Sequence, residues 1–252
     1  MSRKERQRIE TSTLNKILLV RLRRIGDVVM TTPAVTAIKK SLPHVSLTYI
    51  VEEPYRRLVE GNPRLDRVIS LPPDQGFLDF LSFIRRLRRL DYDALIDFHG
   101  GPRASQIAFL SRSRVKVGYE LKYKNFIYDI RLPRSPNDGL IHSVENHLNL
   151  VKALGIAVFE PPPLELPAAR PEERKRIDAY WAENDLEGAK TVVLHIGAGN
   201  AYRDWGAQNL TALVDLLAGT SGVRVVLVGS AGDKAREKEI LSQARQRVLS
   251  CL

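Results

Sequence analysis

The sequence predicts an α/β chain built from two successive parallel-sheet units. Three observations carry that expectation. Short apolar runs rich in strand formers alternate with stretches whose apolar residues recur at helical spacing. A stiff segment, 156–171, with five prolines in sixteen residues, interrupts the alternation. Beyond it the alternation resumes. Strands separated by helices need crossovers, so the sheets should be mostly parallel and covered on both faces.

The elements follow in order. Residues 1–15 are polar, with four Lys or Arg among the first ten, and read as a mobile basic arm. KILLV (16–20) is a buried strand. From Asp27 one helix is expected, with Val28, Val29, Ala34, Val35 and Ile38 on one broad face. Pro33 is tolerated near its start, and Pro43 stops it near Leu42. VSLTYIV (45–51) is a strand and 54–60 a short helix; RVISL (67–71) is a strand and 77–90 a helix. ALIDF (94–98) is a strand and 103–111 a helix; VKVGY (115–119) is a strand and 141–154 a helix.

After the Pro-rich segment come a helix (172–184), strand 191–197, helix 207–218, strand 223–229 and helix 232–246, with a third strand begun in 247–252. The expected organisation is an arm (1–15), an N-terminal unit (16–155), a linker (156–171) and a C-terminal unit (172–252). Two or three parallel strands are few for a doubly wound sheet, so the chain is expected to stop inside that last unit.

Composition narrows the function classes. One cysteine, Cys251, excludes an internal disulfide framework and any multi-cysteine zinc site. No apolar run reaches the ~18 residues that a span requires, and no signal-peptide core follows the charged start. A soluble cytoplasmic protein is the expectation. Lys plus Arg is 39 against 29 Asp plus Glu, a net charge of +10. That favours polyanionic partners without choosing among them. No RNA or DNA module signature is present, and aromatics are not interleaved with the basic runs, so no nucleic-acid partner is expected.

In open parallel sheets, ligands bind beyond the carboxyl ends of strands. Three segments occupy such places. In Arg23-Arg24-Ile25-Gly26-Asp27, the carboxylate of Asp27 can accept a proton from a bound hydroxyl or simply cap the helix. In the second, His195 to Trp205, which follows a strand and precedes a helix, backbone N–H groups can cradle a phosphate, and Arg203 can add charge-assisted bonds. A plain strand–helix turn is the alternative. Tyr202 stands where a dinucleotide fingerprint wants a third glycine, which weakens a nicotinamide-binding reading. The third, Gly229-Ser230-Ala231-Gly232-Asp233, lines a nucleotide or only starts a helix.

Asp97 to Gly101 ends a strand, with a cleft role and a turn role both open. His142 and His147 are five apart, a poor spacing for one helix face, and read as non-metal. Arg85, Arg86, Arg88 and Arg89 form a basic helix face, either solvated or touching anionic lipid.

These residues carry a resemblance. ILLVRLRRIGDVVMTTPAVTAIKKSLP, DYDALIDFHGG, HSVENHLNLVKALG, VVLHIGAGNAYRDW and VRVVLVGSAGD follow one another as in glycosyltransferase family 9, the heptosyltransferases of lipopolysaccharide core synthesis. The Gly-Asp opening and the basic-x-Trp segment are specific in combination.

The resemblance implies a GT-B architecture of two Rossmann-like domains, the first binding a Kdo-containing lipid A acceptor and the second an ADP-heptose donor. It implies inverting transfer without a metal or other cofactor, at the inner-membrane surface. Asp27 then matches the family's base. Arg203 matches its donor-phosphate residue, with Gly197, Ala198, Gly199, Gly229 and Gly232 lining the donor. Arg23, Arg24, Arg56 and Arg57 become acceptor contacts.

Two departures stand out. Ile196 replaces the common proline after His195. The family's later Asp-Ser/Thr-Gly-Pro-Met-His segment is absent, which leaves an inactive acceptor-binding module as the alternative to an enzyme.

Overall fold

The computed structural model describes residues 10–122, 125–134 and 141–252, and the chain divides into two compact units, Met1–Ala168 and Ala169–Leu252. The first is a six-stranded sheet with β1 Lys16–Val20, β2 Ser46–Glu52, β3 Arg67–Leu71, β4 Ala94–Asp97, β5 Val115–Tyr119 and β6 Ile130–Leu132. Its order is β3-β2-β1-β4-β5-β6, and every pairing is parallel. That order reverses direction between β1 and β4. A doubly wound sheet opens a crevice at such a reversal, beyond the strands' carboxyl ends.

Five helices accompany this sheet: α1 Ile25–Val29, α2 Thr32–Ser41, α3 Phe77–Arg88, α4 Pro102–Leu110 and α5 Ser143–Ala153. They cover both faces. One core joins Ile17, Leu19 and Ile96 to Ala34, Val35, Ile38, Leu148 and Val151 of α2 and α5. The other joins Leu18, Val20 and Leu95 to Phe83, Ile84, Leu87, Ala104 and Ile107 of α3 and α4. Alternate residues of β1 therefore point to opposite cores, as the period of a strand requires.

The structure corrects several expected boundaries. The helix expected from Asp27 to Leu42 is two, broken at Met30–Thr31. Pro33 has no N–H to give the Val29 carbonyl, and Thr32 Oγ1 donates to it instead at 2.8 Å. The helix expected over 54–60 is a 3-10 turn, Glu53–Leu58. β6 was not expected at all. The arm does not extend to residue 15, because Leu14 is buried and the Asn15 and Lys16 N–H groups donate to Asp93; residues 1–9 lie outside the described residues. The Pro-rich segment engages the first unit through Glu165, which accepts from Arg64 and receives a 3.4 Å contact from Thr36.

The second unit holds β7 Lys190–His195, β8 Val223–Val228 and β9 Leu249–Ser250, parallel in the order β7-β8-β9. Helices α6 Pro171–Glu183, α7 Ala207–Ala218 and α8 Lys234–Gln243 accompany them. Ile196, Leu210, Val214, Val225, Leu227 and Ile240 form its core. The helix expected over 232–246 is shorter, with a 3-10 turn, Ala231–Asp233, ahead of α8.

Candidate functional site

Beyond β1 the chain stays extended, with Arg21 N donating to Ile50 O and Leu22 O accepting from Glu52 N. It then turns into α1, whose third residue is Asp27. Arg21 is buried, and every edge of its guanidinium is used. Nη1 donates to Phe98 O at 2.6 Å, Nε to Arg23 O at 3.0 Å, and Nη2 sits 2.6 Å from Asp27 Oδ2. A buried arginine persists when its fork is fully met in this way.

Asp27 also accepts from Arg24 N, at a long 3.4 Å. Burial pushes its carboxyl up, but the Arg21 charge and hydrogen bonds outweigh this and hold it below the usual carboxylate range. The side chain is 45% exposed, so an ionised, oriented carboxylate remains within reach of solvent.

Asp27 lines a small cavity of about 70 Å³ with Arg21, Tyr119, Arg134, Ser143, Asn146 and His147. The Tyr119 hydroxyl and His147 Nδ1 are 2.9 Å apart, and Phe98 meets the imidazole edge-on at 5.2 Å. Arg134 lies 4.6 Å over the Tyr119 ring and donates to His99 O. Burial, then the charges of Arg21 and Arg134, lower His147 to about 3. Burial, then Arg21, Arg23 and Arg134, lower His99 to about 4. Both imidazoles are neutral at pH 7. His142 lies apart in role, its Nδ1 accepting from Val144 N at the start of α5.

Across the sheet's point of reversal, β4 ends in Asp97, which is fully buried. Its carboxylate accepts from Tyr128 Oη at 2.5 Å, His99 N at 2.7 Å and Gly100 N at 2.9 Å. Gly100 takes φ +67°, where a side chain is strained. Asp97 thus shapes the turn that presents His99.

Of the expected acceptor contacts, Arg23 and Arg24 are exposed beside Asp27, and Arg57 is exposed on the Glu53–Leu58 turn, which packs beside α1. Arg56 on that turn pairs with Glu60 at 2.7 Å and Glu53 at 3.8 Å.

In the second unit the turns after β7 and β8 meet. A Cβ on Gly197 would stand 2.5 Å from Asp233 Oδ2. That oxygen accepts from Ser230 N at 2.8 Å and Ser230 Oγ at 2.6 Å. One backbone donor of the Gly229–Asp233 turn is therefore already occupied. A Cβ on Gly229 would come within 3.0 Å of Leu252, whereas at Gly232 the nearest atom would be 3.6 Å away. Arg236 donates to Ile196 O at 2.8 Å and pairs with Asp204, tying α8 to the first turn. Asn200 Oδ1 accepts from Arg203 N at 3.1 Å, and Ala198, Gly199, Tyr202 and Arg203 are exposed.

Arg21, Tyr119, Arg134 and His147 were not among the residues expected from the sequence to form a site. Their one local signal was a buried arginine directly after a buried strand. Among the described residues, no group of three His, Cys, Asp or Glu is placed to hold a metal ion.

Residues 80–250 match the family model described as glycosyltransferase family 9 (heptosyltransferase). Lipopolysaccharide heptosyltransferase 1 of Campylobacter coli is 20% identical over 209 residues, 80% of this chain and 60% of its own length. The chain thus spans less than two thirds of that relative. The crystal structure of the glycosyl transferase family 9 protein from Veillonella parvula superposes with a TM-score of 0.82 at 19% identity, covering 94% of this chain and 68% of its own. The E. coli heptosyltransferase WaaC with ADP-2-deoxy-2-fluoro heptose gives a TM-score of 0.65 at 21% identity, covering 94% and 76%. At these identities the likeness is one of fold, and the α/β fold is of the GT-B type.

Proposed function

Because the chain belongs to glycosyltransferase family 9, we propose that it transfers heptose from ADP-heptose to the inner core of lipopolysaccharide, inverting the anomeric carbon. The observation that carries this reading is the carboxylate of Asp27, held ionised by Arg21 at the mouth of a polar cavity.

Asp27 receives the proton of the acceptor hydroxyl. The freed oxygen forms a bond to the anomeric carbon, and the bond from that carbon to the diphosphate breaks, its electron pair leaving with ADP. Such displacements pass through an oxocarbenium-like state, so base on one face and leaving-group stabilisation on the other are what inversion asks for. A base already ionised at neutral pH needs no activation; its modest basicity suits proton transfer late in bond formation. Arg134, Arg23, Arg24 and Arg57 offer positive charge to an acceptor bearing carboxylates and phosphates. Neutral His147 and Tyr119 offer hydrogen bonds without competing for the proton.

In the second unit, Arg203 and the backbone of Gly197, Ala198 and Gly199 meet the donor's diphosphate, with Gly229 and Gly232 beside it. No resident metal or cofactor enters the reading. The net charge of +10 suits a peripheral position on the cytoplasmic face of the inner membrane. Among the described residues no helix is long and apolar enough to cross a membrane.

The test is direct. The full chain, given ADP-heptose and a Kdo-bearing lipid A acceptor, should add one heptose to the acceptor by mass spectrometry. ADP release without acceptor modification, or no reaction beside bound acceptor, contradicts it.

A further inference from the structure

The helix α3 buries one face and leaves the other uncovered. Phe83, Ile84 and Leu87 enter the core beneath the sheet. At 3.6 residues per turn, the opposite face carries Leu78, Ser82, Arg85 and Arg89, flanked by Phe77 and Arg86. Phe77 is 74% and Leu78 78% exposed. Two adjacent large apolar side chains therefore stand in solvent on one helical turn. Arg85, Arg86 and Arg89 are exposed near its other end, and Arg85 and Arg89 make no ion pair among the described residues. The acidic neighbours, Asp74 and Asp79, sit at the amino end, where they complement the helix dipole.

The place of this face matters as much as its chemistry. Phe77 follows β3, and Asp27 follows β1, strands that lie two apart, ~10 Å, in one parallel sheet. Both lie beyond the carboxyl ends of the strands. The loop between β3 and α3 is fastened there by Arg103, which donates to Pro72 O at 2.7 Å, Pro73 O at 2.9 Å and Gln75 Oε1 at 3.0 Å. A cavity of about 610 Å³ opens along the same flank between β3 and α3, with Leu71, Phe83 and Leu87 inside and Arg67 and Arg86 among its lining.

We propose that α3 is a membrane-docking element: Phe77 and Leu78 enter the acyl boundary of an anionic bilayer while Arg85, Arg86 and Arg89 lie on its headgroups. Apolar tips with flanking arginines are the chemistry of an interfacial helix. Charge complementarity selects the anionic lipid surface over a protein partner. The inference deepens the membrane part of the proposed function and rests on it: docking along α3 lays this flank of the sheet on the bilayer, with the crevice beside Asp27 at one end of it, near where a lipid-linked hydroxyl emerges.

The experiment is co-sedimentation of the full chain with phosphatidylethanolamine vesicles, with and without phosphatidylglycerol, in the absence of donor and acceptor. The chain should sediment with the anionic vesicles. Phe77→Gln/Leu78→Gln should weaken partition on the order of tenfold or more. Arg85→Ala/Arg86→Ala/Arg89→Ala should weaken it on the order of a hundredfold near ~0.1 M salt and flatten its salt dependence. Phe126→Gln is the control. It removes another exposed aromatic, packed on Phe109 ahead of β6 and not part of α3, and should change nothing.

Circular dichroism melts should match the parent, since every substituted side chain is exposed. Transfer to a deacylated, water-soluble acceptor should persist in both variants. Equal partition of parent and variants overturns the proposal. So does a face that instead joins two copies, seen as a dimer that Phe77→Gln/Leu78→Gln dissolves without any vesicle binding. Vesicle binding that depends on α3 in a chain that transfers no sugar sustains docking and rejects the proposed function alone.

Discussion

Arg21 Nη2 stands 2.6 Å from Asp27 Oδ2, while the same guanidinium donates to the carbonyls of Phe98 and Arg23. One buried cation thus links the ends of β1 and β4 and sets the ionisation of the carboxylate between them. Without it, burial would act on Asp27 unopposed by that charge. Arg21→Gln should therefore raise the Asp27 pKa and move the acid limb of the transfer rate upward by ~1 pH unit or more. It should also cost about 1–3 kcal/mol of stability, from carbonyls left without donors. A melt that falls while the pH profile stays in place would reduce Arg21 to a structural role.

His147 gives a second pH signature, in stability. Its folded pKa is lowered to about 3, well below the usual histidine value of 6.5. Between those values the unfolded chain binds a proton that the folded chain refuses. Stability therefore falls as pH drops from 6.5 towards 3, with a slope of up to ~1.4 kcal/mol per pH unit. Asp27 acts in the same sense lower down: its pairing stabilises the fold above the ordinary aspartate pKa and fades as pH falls through its lowered one. Urea unfolding across pH 4–7 should show the slope, to which His99, lowered to about 4, adds in the same direction, and His147→Gln should reduce it by the His147 share. An unchanged slope in the variant would mean that His147 titrates normally.

Close approach opposes a side chain at Gly118 and at Gly197. A Cβ on Gly118 would stand 2.6 Å from the Tyr128 ring, whose hydroxyl is bonded to Asp97. Gly118→Ala should cost about 1–3 kcal/mol by overpacking. Gly197→Ala would press on an Asp233 carboxylate already tied to Ser230, so it should weaken ADP binding more than it weakens the fold. Thermal melts beside ADP calorimetry separate the two effects.

Arg203 is exposed, so removing it leaves no buried partner stranded. Arg203→Ala should weaken ADP binding by roughly 10–100-fold through lost charge-assisted bonds, with an unchanged melting temperature. Equal affinity would remove Arg203 from the donor site.

Much of this architecture is legible in the residues. Each strand from β1 to β5, and β7 and β8, is an apolar run between polar turns, although β7 is only partly covered. β6 escapes because three residues, Ile130–Leu132, with an exposed arginine at the centre, make no period. The break at Met30–Thr31 follows from Pro33, whose missing N–H leaves the Val29 carbonyl to Thr32 Oγ1 and ends the first helix there. The carboxylate of Asp27 is legible from its Gly-Asp turn. Its surroundings are not. Tyr119, Arg134 and His147 lie roughly a hundred residues further along the chain, and only the strand order β1-β4-β5-β6 brings them beside it. Nothing in the residues next to His147 encodes its burial against Phe98 and Tyr119, which come from other elements.

The claim that Asp27 takes the acceptor's proton is tested most directly by Asp27→Asn in the heptose-transfer assay, with ADP calorimetry on the same preparation. Asparagine keeps the size and polarity of the side chain and removes its basicity. The account predicts transfer slowed by ~10²–10⁴-fold with ADP affinity unchanged. Transfer at the parent rate in Asp27→Asn would contradict it.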